Sequence, residues 1–142
     1  MSNLFLPLVL QVEAALSFCD FVENVCVYGD SFHNNVIALI VPNKPALKKL
    51  AESLDKSQLS NAELCRDKQV IDAIKRSLID HATKSGLSRV EIPSEIKLCD
   101  EEWLPDTGLV TAALKIRRKQ IQEYYKNDIV AMYGGNPSSK SA

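Results

Sequence analysis

The chain has 142 residues, of which 46% are hydrophobic, and its 17 basic and 18 acidic side chains leave a formal net charge of −1. This length suits one domain, which would bury about two thirds of the surface of its unfolded chain around a single core. The balanced charge excludes a general electrostatic attraction to nucleic acid or to an anionic membrane. Any anion binding must therefore be local.

The cysteines and histidines show no metal-binding pattern. These residues are Cys19, Cys26, Cys65, Cys99, His33 and His81. The cysteines are widely spaced, form no C-x-x-C pair and lie mostly in apolar runs, which indicates buried thiols in a reduced, intracellular protein. Neither histidine has a partner at i+3 or i+4, so we predict no metal site.

The first third of the chain reads as a helix followed by a β-hairpin. Apolar residues recur at helical spacing from Val12 to Cys19. Residues 21–28 and 36–41 are rich in β-branched side chains, and the loop between them contains Gly and Asn. Both strands are apolar at nearly every position, which predicts burial on two faces of a sheet.

Two more helices and a third strand follow. Asn43 is placed to cap a helix whose first turn contains Pro45. Apolar residues at i, i+4 spacing predict another helix over 67–85, which Gly86 would end. Residues 96–99 read as a third strand, reached through that crossover and parallel to one hairpin strand.

A Pro, Asp, Thr and Gly cluster at 105–108 breaks regular structure before the last predicted helix. That helix would run from Ala112 or Ile116 to Tyr133. Its inward face would carry Ile121, Tyr125, Ile129 and Met132. The predicted fold class is therefore α/β (α+β), a small three-stranded mixed sheet made of an antiparallel hairpin plus one crossover strand, flanked by helices.

Three motifs near the end of the chain carry a family resemblance. They are EIPSEIKL at 91–98, W-x-P-x-T-G-L-V-T-A-A-x-K-[IL]-x-R at 103–118 and [IV]-x-x-[ML]-Y-G at 129–134. In this order they resemble the carboxyl-terminal end of long-chain acyl-CoA synthetases, which are adenylate-forming (AMP-binding) ligases. VEAAL at 12–16 and the two hairpin strands extend the resemblance over nearly the whole chain, and plant-type ligases look closest.

The resemblance implies three regions. Residues 1–10 are a divergent amino-terminal segment, because the similar ligases carry Gly-Lys before VEAAL where this chain has Leu10 and Gln11. Residues 11–134 would be the mobile carboxyl-terminal domain. Residues 135–142 would be a flexible polar tail.

Lys115 is the catalytic candidate that the resemblance implies. Together with Thr111, Ile116 and Arg118 it matches the carboxyl-terminal lysine motif of the family. Such enzymes join a fatty-acid carboxylate to the α-phosphate of ATP, and an ammonium group offsets the repulsion between the two anions. Lys115 would be inserted for acyl-adenylate formation and withdrawn as the domain rotates to admit coenzyme A.

Other interpretations of this motif stay open at the level of sequence. Lys115 could belong to a solvated basic helix face that also contains Lys119. Thr111 and Arg118 are candidates for substrate or nucleotide binding, but Thr111 could equally cap the last helix and Arg118 could pair with a nearby carboxylate. The chain has Leu114 where many relatives outside the long-chain group carry glycine before the lysine.

Five side chains around the motif have structural interpretations. Trp103 is predicted to pin the motif loop to the core. Tyr124 and Tyr125 are predicted to be core or interface residues. The acidic pair Glu101 and Glu102 is predicted to be exposed, without a catalytic role.

No Gly-, Ser- and Thr-rich phosphate loop is present, and the chain has five glycines in all. We therefore expect ATP and Mg²⁺ to be bound mainly by a large amino-terminal adenylation domain, with coenzyme A and fatty acid as co-substrates. Any membrane association would reside in that domain, and no nucleic-acid partner is predicted.

Two functions follow as hypotheses. In the first, the chain is the carboxyl-terminal part of an ATP-dependent long-chain fatty acid–CoA ligase and is inactive alone. In the second, it is a stand-alone, non-catalytic domain that binds coenzyme A or regulates a full-length ligase. The expected location is intracellular: the endoplasmic reticulum or plastid envelope for a complete enzyme, and the cytosol for the fragment.

Overall fold

The computed structural model describes residues 6–30, 33 and 35–134. The predicted tail at 135–142 lies outside the described residues, as does the first half of the predicted amino-terminal segment. The elements run in the order α1 (Leu6–Leu16), β1 (Val22–Tyr28), β2 (Ile37–Pro42), α2 (Lys44–Ser53), α3 (Asn61–Arg66), α4 (Lys68–Lys84), β3 (Glu95–Leu98), α5 (Arg118–Tyr124) and α6 (Lys126–Met132).

The three strands form one mixed sheet in the order β1-β2-β3. β1 and β2 are antiparallel, with Cys26 opposite Leu39, and β2 and β3 are parallel, with Ala38 opposite Ile96. All six residues of the central strand β2 are buried. The predicted mixed sheet, the hairpin and the parallel third strand are confirmed.

Side chains of the strands alternate between two apolar layers, as the pleat of a sheet requires. On one face, Ala38 and Ile40 pack with the helices α1 to α4. On the other face, Ile37 and Leu39 pack with Trp103 and with residues of α5 and α6. The sheet therefore separates two halves of the core, and each half has its own covering helices.

The first helix begins earlier than predicted. It starts at Leu6, whereas the apolar spacing indicated a start near Val12. Val9 is fully buried within the same core layer as Val12 and Leu16. The helix thus runs through the proposed boundary between residues 10 and 11, and that boundary stays a prediction.

Capping residues define the middle helices. The Asn43 side chain accepts a hydrogen bond from the Ala46 amide at 3.0 Å, which confirms the predicted start of α2. Asp67 caps α4 by accepting from the Val70 amide at 3.1 Å. Gly86, with φ of +88°, follows the end of α4 as predicted.

Helix α3 was not predicted from the sequence. Its start carries a capping box, in which Ser60 and Glu63 each bind the backbone amide of the other. Serine followed three residues later by glutamate is the sequence signature of that motif. This signal was available in a segment that otherwise shows little periodicity.

The prediction for the last helix was wrong at its start. α5 begins at Arg118, after an irregular loop, and not at Ala112 or Ile116. α5 and α6 are separated at Tyr125, where φ is −101° and ψ is 20°. The predicted inward face is kept, since Ile121, Tyr125 and Ile129 are buried. None of the described helices is long and apolar enough to cross a membrane.

Two neighbouring residues of α4 test the assignment of its buried face. Leu78 is 1% exposed and Ile79 is 37% exposed. We expect Leu78→Ala to lower the free energy of unfolding by about 2 to 5 kcal/mol, because it leaves a cavity in the core. Ile79→Ala should cost less than about 1 kcal/mol. Urea denaturation of both variants checks this, and equal costs would contradict the assigned face.

The buried thiols predict a loss of stability in alkali. Burial, together with a smaller contribution from the nearby Glu13 carboxylate, raises the pKa of Cys26 from 9.0 to about 12. Because the pKa is higher in the folded state, its contribution to stability is complete below about pH 9 and is lost as the pH rises toward 12. Urea denaturation at pH 8 and pH 11 should show a smaller fall in stability for Cys26→Ala than for the unchanged chain. An identical fall would contradict the assignment.

Candidate functional site

The residues before α5 form a closed loop. Val110 and Ile116 face each other in an isolated antiparallel bridge. The Thr111 amide donates to the Lys115 carbonyl at 2.8 Å, and the Arg117 amide donates to the Leu109 carbonyl at 2.8 Å. We call residues 109–117 the lysine loop. Its backbone is held across its base, so the loop presents its tip in a defined direction.

Thr111 stabilises this loop and not the last helix. Its hydroxyl oxygen accepts a hydrogen bond from the Lys115 amide at 3.2 Å. The alternative that Thr111 caps the last helix is therefore wrong, because that helix begins seven residues later. Serine and threonine hydroxyls commonly close turns in this way. Thr111 as a substrate-binding residue stays a prediction.

Lys115 is exposed at the end of the loop. Within the part of the chain that the structure describes, its ammonium group forms no hydrogen bond or ion pair. Lys119 lies on α5, but Lys115 lies outside any helix, so the interpretation as one basic helix face is wrong. The structure thus combines a loop backbone held by hydrogen bonds with a Lys115 ammonium group that is free to approach an anion.

Leu114, the residue before the lysine, has a left-handed backbone conformation with φ of +65°. A leucine at this φ is strained because its Cβ approaches the following carbonyl oxygen. The side chain is also 62% exposed, so little burial offsets that strain. A glycine would adopt this conformation without the penalty.

Arg118, the first residue of α5, is paired with Glu13 of α1. One guanidinium nitrogen lies 2.6 Å from Glu13 Oε2 and the other lies 2.8 Å from Oε1. The hydrogen bond to Glu13 is the main cause of a raised pKa for Arg118. The alternative that Arg118 pairs with a nearby carboxylate is confirmed, while its proposed contact with substrate or nucleotide stays a prediction.

Glu13 was not identified from the sequence as a site residue. It is buried in the structure and also accepts a hydrogen bond from the Val27 amide at 2.7 Å. A signal existed, because residues 9, 12, 13 and 16 share one face of a helix and only position 13 is charged. A carboxylate on a buried apolar face needs a partner, and Arg118 supplies it.

Trp103 anchors the chain ahead of the lysine loop. Its ring is buried, and the indole N–H donates to the Tyr125 hydroxyl at 3.1 Å, which confirms its predicted role. Tyr125 is a core residue as predicted. Tyr124 is 57% exposed and is therefore not a core residue, while its alternative role at an interface stays a prediction; its hydroxyl donates to Glu101 at 2.7 Å. Glu101 and Glu102 are exposed as predicted.

A cleft of about 380 Å³ lies beside the tip of the lysine loop. Leu114 and Trp103 contribute to its walls, together with Pro42, Lys44 and Leu104. Thr111, Lys115 and Arg118 are not among its lining residues. In residues 6–30, 33 and 35–134, no group of three or more His, Cys, Asp or Glu side chains could hold a metal ion.

The strain at Leu114 predicts that glycine stabilises the loop. Leu114→Gly should raise the free energy of unfolding by up to about 1 kcal/mol, because relief of the strain outweighs the added entropy of the unfolded chain. Leu114→Ala keeps a Cβ and should give no gain. Asp55→Gly is a matched control, since Asp55 has φ of 62° but aspartate tolerates this region better. Thermal denaturation compares the variants, and a loss of stability in Leu114→Gly would contradict this account.

Comparison with known sequences finds that the chain is similar to part of the long-chain acyl-CoA synthetases. No protein-family model matches it. Long chain acyl-CoA synthetase 8 of Arabidopsis thaliana is 38% identical over 123 residues, covering 87% of this chain and 17% of that protein. Long-chain-fatty-acid--CoA ligase 1 of Schizosaccharomyces pombe is 34% identical over 125 residues, covering 87% of this chain and 18% of the ligase. The chain thus spans less than one fifth of these relatives.

Solved structures agree with this result. The adenylation domain of a carboxylate reductase from Mycobacterium chelonae matches with a TM-score of 0.72 and 27% identity, over 89% of this chain and 18% of that one. A two-domain fragment of the carboxylic acid reductase from Segniliparus rugosus, in complex with AMP, shares the fold at a TM-score of 0.72 and 24% identity. The chain is therefore homologous to one segment of long-chain acyl-CoA synthetases, and it has a fold found in adenylation domains.

Proposed function

We propose that this chain is the carboxyl-terminal part of an ATP-dependent long-chain fatty acid–CoA ligase, and that Lys115 assists formation of the acyl-adenylate. The observation that carries this proposal is the free ammonium group of Lys115 on a loop whose backbone is closed by hydrogen bonds. The homology to long-chain acyl-CoA synthetases supports the choice of substrates.

Acyl-adenylate formation needs a positively charged group that can move but is attached to a backbone of fixed position. A carboxylate that attacks the α-phosphate of ATP brings two anions together, and negative charge builds up on the phosphoryl oxygens in the transition state. Lysine carries a compact charge with three donors on a flexible stem, so one ammonium group can contact both anions. The bridge between Val110 and Ile116 would fix the backbone position from which the Lys115 side chain extends.

Other parts of the reaction would lie outside this chain. The described residues contain no group of three or more His, Cys, Asp or Glu side chains that could hold a metal ion, and we assign no magnesium ligand here. We propose that ATP, Mg²⁺ and the fatty acid are held by a large amino-terminal adenylation domain, and that this chain supplies Lys115 to that site. Coenzyme A would be the second substrate of the same ligase. The location of the complete ligase at the endoplasmic reticulum or the plastid envelope stays a prediction.

The role of Lys115 can be tested in a chimeric ligase. Residues 12–134 of this chain would replace the homologous segment of the Arabidopsis relative. We expect Lys115→Ala to slow acyl-adenylate formation by roughly 10²- to 10³-fold, the loss typical of removing one donor to developing charge. Thioester formation from supplied acyl-adenylate should change little. Pyrophosphate release measures the first step, and acyl-CoA formation measures the second.

Lys119→Ala is the matched control, because Lys119 is an exposed lysine four residues away on α5. It should leave both steps unchanged. An equal loss of both steps in Lys115→Ala would contradict a role in adenylate formation. A chimera that folds but forms no acyl-adenylate would favour the alternative of a stand-alone domain that binds coenzyme A or regulates a ligase.

A further inference from the structure

A partly buried ion pair spans the free edge of the sheet. β1 is an edge strand, and the amide of Val27 donates to Glu13 while the carbonyl of Val27 accepts from Arg118 at 3.3 Å. Glu13 belongs to α1, which packs on one face of the sheet, and Arg118 begins α5, which packs on the other. The pair therefore connects both layers of the fold through the backbone of one residue of β1, Val27.

Helix α5 has few local interactions that fix the position of its first residue. It has seven residues, and no side chain caps its amino terminus. A helix this short is marginal in water, so contacts with the rest of the fold decide its position. Ile121 anchors its first turn in the core, and Arg118 anchors its first residue to Glu13 and β1.

The geometry of the Glu13 and Arg118 pair suits a role in orienting the start of α5. The two side chains are 11% and 19% exposed, and they meet through two parallel hydrogen bonds. Removing two charges from water offsets much of their mutual attraction, so such a pair contributes little net stability. The planar guanidinium does fix direction, because both bonds form in only one orientation.

We infer that Glu13 and Arg118 are positioning residues for Lys115. The first residue of α5 follows the lysine loop directly, and the Arg117 amide closes the base of that loop. Holding Arg118 against Glu13 therefore holds the end of the loop at the sheet edge. The consequence for catalysis rests on the proposed function of Lys115, whereas the consequence for loop geometry does not.

The loop geometry can be tested on the 142-residue chain itself. Backbone ¹⁵N order parameters should be near 0.85 for residues 110–117 in the unchanged chain. In Arg118→Lys, which keeps the charge but loses the planar fork, they should fall below about 0.6. Glu13→Gln should have the same effect. Order parameters of Leu39 and Ile40 in β2 should stay unchanged in both variants.

Arg117→Lys is the matched control, since it makes the same substitution one residue earlier on an exposed side chain, whose hydrogen bond to the Gly108 carbonyl is long at 3.4 Å. It should leave the loop ordered. The inference is overturned if the loop keeps its order in both Arg118→Lys and Glu13→Gln. It is also overturned if β2 loses order together with the loop, because that result means a general loss of structure.

The same substitutions in the chimeric ligase test the catalytic consequence. Arg118→Lys should lower kcat of acyl-adenylate formation about tenfold or more, with little change in KM for ATP and in the thioester step. If Lys115→Ala has no effect there, the proposed function fails, yet the loop order measured in the isolated chain still decides the positioning role. If Lys115→Ala is impaired and Arg118→Lys is not, the positioning role in catalysis is overturned.

Discussion

The central strand β2 must be covered on both faces, and most of the fold follows from this constraint. Its six residues are all buried, and they alternate between the two apolar layers. Helices α1 to α4 cover one face. The other face is covered by Trp103 and by α5 and α6, so the chain must pass from β3 around to that side. The lysine loop lies on this passage.

The candidate site separates a held backbone from a free side chain. Hydrogen bonds between Thr111 and Lys115 and between Leu109 and Arg117 close the loop. No described partner engages the Lys115 ammonium group. The strained backbone of Leu114 shows that the loop conformation is imposed by the surrounding fold, since leucine alone disfavours it. Such strain is common where a protein positions a functional group.

The pair of Glu13 and Arg118 links the helices on the two faces of the sheet. It satisfies the amide and carbonyl of Val27, which face away from β2 on the edge strand. An edge strand with uncovered peptide groups can pair with other chains, so covering it protects the fold as well. One ion pair thus joins the first helix, the sheet edge and the start of α5.

The sequence by itself determined the mixed sheet, the cap at Asn43 and the buried stripe of α4, because these depend on local periodicity and capping chemistry. It also indicated Lys115 through the resemblance of its motif. The start of the last helix, the bridge between Val110 and Ile116 and the pairing of Glu13 with Arg118 were decided only by the tertiary structure. Glu13 and Arg118 are 105 positions apart, and no local pattern encodes a contact over that distance. The alanines at 112 and 113 favour helix locally, but closing the loop against the sheet overrides that preference.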